Sequence, residues 1–254
     1  MTRTLHRSAD PQPALPDRLR RRLDAQLAAR GITPAPGTSL PDDPAPEPLP
    51  AVEAAQKRIP YDYRDAVADH PAVAAWVRTV AASATAPYAG ERHAHYGRTG
   101  RREIRTGPSL LLWGPTGTGK TRQAFGAIRS LTADGCAVRW HAVKAADLYG
   151  QMRAQSTDTE AVLRHAMRVA LLVLDDLGAA KTTAWTEDVT FRLLAWRGEN
   201  HLPTVVTTNL PPAPQPGTGT QQLRTAVGDR VLSRLSGMCT AVELTGPDRR
   251  YSHR

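Results

Sequence analysis

The sequence predicts an α/β fold, a parallel β-sheet covered by helices on both faces and built around a phosphate-binding loop. Three observations predict it. Leu110–Trp113 is a short apolar strand, followed at once by Gly114-Pro-Thr-Gly-Thr-Gly-Lys-Thr121 and then by a helix-like stretch, Arg122 to Leu131. Two further apolar runs, Val169–Asp175 and Thr204–Thr208, alternate with amphipathic segments, the pattern of strands buried on both faces. Both runs end in polar residues, Asp175-Asp176 and Asn209, at the carboxyl ends where parallel sheets bind ligands.

Taken in order, residues 1–58 read as an N-terminal extension and residues 59–254 as the folded domain. Leu15, Leu19, Leu23 and Leu27 place a leucine stripe on a short helix, Asp17 to Arg30, flanked by Arg18, Arg20, Arg21 and Arg22. A helix this short needs something to pack on, either its own domain or a partner protein. Gly31 to Pro50 is crowded with Pro, Ala and Asp, a semi-rigid linker. The domain begins near Ile59, with a helix expected over Pro71 to Ala82. Tyr88 to Gly107 is polar, rich in Gly and Arg, and reads as a surface insertion. Beyond the loop the alternation predicts a strand over Ala137–Val143, helices over Ala145–Arg153, Thr159–Arg168 and Glu187–Gly198, and a helix carrying Arg230 and Arg234.

The eight residues Gly114, Pro115, Thr116, Gly117, Thr118, Gly119, Lys120 and Thr121 form a G-x-x-x-x-G-K-T loop. Its glycines allow a tight turn whose N–H groups point at phosphate oxygens, and the next helix adds its positive N-terminal end. Lys120 would reach the β- and γ-phosphates of ATP, and the Thr121 hydroxyl would ligate Mg²⁺. Asp175 would hold the same Mg²⁺, and Asp176 would orient the attacking water. Asn209 would hydrogen-bond the γ-phosphate and that water. Arg230 and Arg234, four apart on a helix, share a face; an arginine supplied across a subunit boundary stabilises charge on the transferred phosphoryl group.

The formal net charge of +9 favours a polyanionic partner such as nucleic acid. Cys136 and Cys239 form no C-x-x-C pair, so neither a zinc site nor a disulfide framework is indicated. His93 and His95 lack a third ligand. Arg98, Arg101, Arg102 and Arg105, near Tyr88 and Tyr96, could track single-stranded nucleic acid. No secretory leader is read at the N-terminus, and Val169 to Leu174 is far too short to span a bilayer. A cytoplasmic protein without membrane contact is expected.

Four motifs recur in this order in AAA+ ATPases: Gly114–Thr121, Leu172–Gly178 (Leu-Val-Leu-Asp-Asp-Leu-Gly), Val206–Asn209, and Gly228–Leu235 (Gly-Asp-Arg-x-x-Ser-Arg-Leu). The chain most resembles the DnaC/DnaI helicase-loader branch, which includes the IstB transposition ATPases. Ile59–Ala66 is similar to that branch's lead into the domain, near where it holds adenine. The resemblance implies a P-loop AAA+ core without a C-terminal helical lid, in a homo-oligomer with ATP at subunit interfaces. Arg234 would act in trans, and hydrolysis of ATP to ADP and phosphate would be slow and stimulated by partner or DNA. It further implies loading of a replicative ring helicase, gripped by residues 1–58, onto single-stranded DNA. The alternatives are an IstB-like transposition helper that binds target DNA and a non-hydrolysing ATP-gated adaptor. Three features depart from the pattern: the Pro-rich N-terminal segment carries no motif that matches, the Tyr88–Gly107 insertion is unfamiliar, and the second acid of the pair is Asp176 rather than Glu.

Overall fold

The computed structural model describes residues 57–85, 102–154, 158–214 and 222–248. The leucine-striped segment, the proline linker, His93, His95, Arg98 and Arg101 lie outside them. The chain runs from a 3-10 turn (Tyr61–Tyr63) through α1 (Pro71–Ser83), β1 (Arg102–Glu103), β2 (Ser109–Trp113), α2 (Lys120–Ala133), β3 (Cys136–Ala137), β4 (Trp140–Lys144) and α3 (Ala145–Arg153). It continues through α4 (Thr159–Arg168), β5 (Leu171–Asp175), α5 (Ala184–Glu199), β6 (Thr204–Thr208), α6 (Leu223–Val227), α7 (Asp229–Met238) and β7 (Cys239–Glu243).

Local chemistry sets the helix starts. Pro71 opens α1 where its missing N–H costs nothing, and His70 accepts the Ala72 N–H. Asp158 caps α4 by accepting the Ala161 N–H at 3.1 Å. Thr183 and Thr186 cap α5 reciprocally, satisfying donors that a helix leaves unpaired.

Five strands pair in parallel in the order β4-β5-β6-β2-β7. Successive side chains on a strand point to opposite faces, so each strand feeds two cores. Leu110, Leu112, Leu171, Val173 and Val205 pack with Val73, Trp76, Val80, Phe125 and Ile128 beneath α1 and α2. Leu111, Leu172, Leu174 and Val206 pack with Leu148, Leu163, Leu193, Leu223 and Leu235 of α3 to α7. The result is a P-loop AAA+ core: a parallel sheet with helices on both faces. Among the described residues no helix follows β7.

The order also separates two strands that share the site. β2, which leads into the phosphate loop, is flanked by β6 and β7, and β5, which ends in the acids, lies beyond β6. β6 therefore stands between loop and acids.

Two expectations need correction. The strand expected over Ala137–Val143 is two strands. Cys136–Ala137 pairs with β1 outside the main sheet, and only Trp140–Lys144 joins β5. The end of the expected surface insertion is also packed into the domain. Ile104 is 2% exposed, and Arg102 donates to the Ala81 and Asp134 carbonyls at 2.9 and 2.6 Å. Arg102 is thus a structural tie rather than part of a free basic cluster. Both cysteines are free, with Cys136 buried and Cys239 half-buried.

Candidate functional site

The loop after β2 turns through three glycines with positive φ: Gly114 (+141°), Gly117 (+83°) and Gly119 (+94°). At the first two a side chain is excluded by contact as well as by conformation. A Cβ on Gly114 would collide with the Leu244 carbonyl, and one on Gly117 with the Asp248 carboxylate. Gly119 then serves as N-cap of α2, so the loop passes directly into a helix whose first N–H groups have no intrahelical partners.

Lys120 is buried and lies back over its own loop, its Nζ donating to the carbonyls of Gly114 (2.8 Å) and Pro115 (2.7 Å). The Thr118 hydroxyl also donates to the Pro115 carbonyl, at 2.9 Å. Thr121, on the first turn of α2, reaches across β6 to the end of β5: its Oγ1 donates to Asp175 Oδ1 at 2.9 Å.

The two acids are held by β6. Thr207 Oγ1 donates to Asp175 Oδ1 at 2.6 Å and accepts the backbone N–H of Asp176 at 2.9 Å. Asp176 itself is left-handed, φ +57°, a conformation that non-glycine residues adopt at a cost. The Leu177 N–H donates to the Thr207 carbonyl at 2.8 Å, and Asn209 Nδ2 donates to Asp176 Oδ1 at 3.0 Å. The structure thus brings Lys120, Thr121, Asp175, Asp176 and Asn209 to one end of the sheet.

A hydroxyl and a carboxylate oxygen in contact are hard ligands of the kind Mg²⁺ takes. No cluster of three or more His, Cys, Asp or Glu suited to a metal occurs among the described residues. An oxyanion, the Asp248 carboxylate, already lies against the turn at Gly117, so the loop accommodates anionic oxygen there.

Arg230 and Arg234 are placed elsewhere. Both guanidinium groups lie over the Phe191 ring, 4.1 and 5.8 Å from its centroid, and Arg234 approaches Glu199 at 4.0 Å. They line a surface groove of about 610 Å³ with Gly198, Ser233 and Met238. Among the described residues no hydrogen bond or ion pair joins either arginine to the loop or to the two aspartates.

Sequence reasoning missed three residues. Thr207 was visible only as a polar member of a buried strand. Asp65 forms a two-point ion pair with Arg122 at 3.0 and 3.2 Å, and that guanidinium holds its carboxyl below the usual aspartate value. With His70 N–H donating to Gln123 at 3.1 Å, it ties segment 65–70 to the first turn of α2 beside the loop. Arg197, fully buried, binds the Thr204 hydroxyl and the carbonyls of Ala166, Met167, Val169 and Pro203. Burial lowers its pKa to about 9, so it remains a cation at neutral pH.

Known structures share this architecture. The DnaC helicase loader aligns with a TM-score of 0.55 at 20% identity, over 73% of this chain and 100% of its own. A putative primosome component from Streptococcus pyogenes serotype M3 aligns at 0.52 and 21% identity, over 78% and 98%. DnaI aligns at 0.50 and 23% identity, over 80% and 94%. No curated protein matches the sequence. At these identities the structural likeness establishes the fold. Residues 101–254, more than half of the chain, match the family model described as IstB-like ATP binding protein. The chain therefore belongs to the IstB-like ATP-binding family.

Proposed function

We propose that this protein is a Mg²⁺-dependent ATPase that acts as a DnaC-like loader, placing a replicative ring helicase on DNA. The observation that carries the ATPase reading is the contact between Thr121 and Asp175, which joins the phosphate loop to the acid pair. In this reading the loop N–H groups and Lys120 hold the β- and γ-phosphates, with Lys120 exchanging its carbonyl partners for phosphate oxygens. Thr121 and Asp175 would hold Mg²⁺, which would supply positive charge to offset that of the phosphates. Asp176 orients a water for attack on the γ-phosphorus, breaking the bond to the ADP oxygen. Asn209, which donates to Asp176, aligns that carboxylate and contacts the γ-phosphate.

Among the described residues Arg234 has no partner at this site, and the reading gives it to a neighbour's site in a homo-oligomer. Such an arginine is worth about 10³–10⁵ in rate. Residues 1–58, set apart in composition from the domain at 59–254, are the proposed helicase grip. The loader reading draws on the likeness to the DnaC loader fold. A transposition helper that binds target DNA is the second reading, favoured by the IstB-like family match.

Native mass measurement of the full chain with the ring helicase of its own host, with and without ATP, tests the loader. A complex lost on deletion of residues 1–58 supports it; no complex in any nucleotide state moves the assignment to the transposition helper. Arg234→Ala should bind ATP yet hydrolyse it poorly, and mixing it with Asp176→Asn should partly restore turnover. Absence of rescue would argue against a shared site.

A further inference from the structure

A second basic site lies at the other end of the sheet. A groove of about 510 Å³ is lined by Arg58, Arg139, Trp140, Arg164, His165 and Arg168. Arg139 precedes β4, and Val169 and Ala170, also in its wall, precede β5. In a parallel sheet these are the amino ends, opposite the carboxyl ends where the phosphate loop and the aspartates stand. The groove is therefore separate from the nucleotide site.

Among the described residues no ion pair compensates its charge. Elsewhere on the surface Arg122, Arg192, Arg224 and Arg234 meet Asp65, Glu160, Asp229 and Glu199. None of the four groove arginines makes such a pair among the described residues. Glu160, one turn before Arg164, turns to Arg192 at 3.0 Å, leaving Arg164 only the Glu160 carbonyl of its own helix at 3.3 Å. Arg58 is fixed over the Trp140 ring, 4.5 Å from its centroid, while donating to the Trp140 carbonyl at 2.8 Å. The His141 ring meets His165 edge to face at 4.9 Å. Burial first, and then the neighbouring His165 and Arg58, lower the His141 pKa.

Basic residues in the last turn of a helix favour its dipole. That accounts for His165 and Arg168 but not for Arg58 and Arg139, which arrive from other segments. Arg139, Arg164, His165 and Arg168 are all exposed, so the groove suits an extended polyanion rather than an enclosed small anion. Arg164 and Arg168 are spaced by one helical turn and share a face. Arg168 also lies 6.0 Å from the Trp196 ring centroid, and Trp196 is 39% exposed, available for a base to stack on.

We propose that this groove binds the phosphodiester backbone of single-stranded DNA. The inference rests on the DNA-binding part of the function proposed above and adds the surface that carries it.

The test is fluorescence anisotropy of the full-length protein with a labelled mixed-sequence single-stranded oligonucleotide across a salt series. The variant is Arg139→Gln, Arg164→Gln and Arg168→Gln together, which spares the Arg58–Trp140 stack. A charge-matched control carries Arg78→Gln, Arg105→Gln and Arg224→Gln. Binding of a fluorescent ATP analogue reports that each variant is folded. The groove variant should lose about tenfold or more in affinity, and its log–log salt slope should shrink by about 2, roughly 0.7 per phosphate contact. The control should keep both. Unchanged affinity and slope in the groove variant would overturn the assignment while leaving DNA binding intact, and an equal loss in the control would overturn it as a net-charge effect. If the unmodified protein does not bind the oligonucleotide, the DNA-binding part of the proposed function falls, and this site with it.

Discussion

Asn209 Nδ2 donates to Asp176 Oδ1 at 3.0 Å, joining the residues just past the ends of β6 and β5. Asp176 is held left-handed while this bond is made, and such backbone strain persists only where surrounding contacts over-determine it. The bond leaves the second carboxylate oxygen without a described hydrogen bond, which is the arrangement an acid needs to orient a water. Asn209→Ala should therefore slow ATP turnover by about 10²-fold, the scale of losing one aligned donor, with ATP affinity retained. Steady-state turnover equal to that of the unmodified protein would sink the role given to Asn209.

Thr207 supports both acids with one hydroxyl, donating to Asp175 and accepting from the Asp176 N–H. Thr207→Val keeps the shape and removes the hydroxyl. It should cost about 1–3 kcal/mol in urea unfolding, the penalty for a buried group left unpaired, and lower turnover as well. Thr207→Ser should recover most of both, and a serine variant no better than valine would show that the methyl group matters instead.

Arg197 pins the end of α4 to the start of β6 through one hydroxyl and four carbonyls. Arg197→Ala leaves those acceptors buried and opens a cavity, so unfolding free energy should fall by roughly 3–5 kcal/mol. A loss below about 0.5 kcal/mol, the range of surface changes, would contradict this reading.

The Asp248 carboxylate lies against Gly117, where an incoming triphosphate brings more negative charge. Asp248→Asn should tighten ATP binding by about 1 kcal/mol, roughly fivefold in Kd, the scale of two unit charges at contact in water. The gain should shrink in high salt, because Asp248 is only half-buried and charges near solvent are screened. Weaker ATP binding in calorimetry would instead make Asp248 a contributor to the site.

Much of this molecule was legible residue by residue. The boundaries of α3, α4 and β6 follow from the sequence because the helical apolar period is complete within α3 and α4, and β6 is a short continuous run between polar ends. Lys120, Thr121, Asp175, Asp176 and Asn209 could be picked out because each follows a strand or opens a helix at fixed spacing. The split of Ala137–Val143 could not, since it depends on pairing between β3 and β1 from distant parts of the chain.

The sequence by itself determined the strand–loop–helix unit, the acids after a buried strand and the all-parallel class, because local periodicity and turn chemistry encode them. Only the tertiary structure decided that β6 stands between loop and acids. That placement makes Thr207 the bridge between Asp175 and Asp176, puts Arg234 on Phe191 and Glu199, and gathers arginines from three separate segments into one groove. Those relationships are set by strand order, and strand order is fixed by how the two cores pack, not by any single stretch of residues.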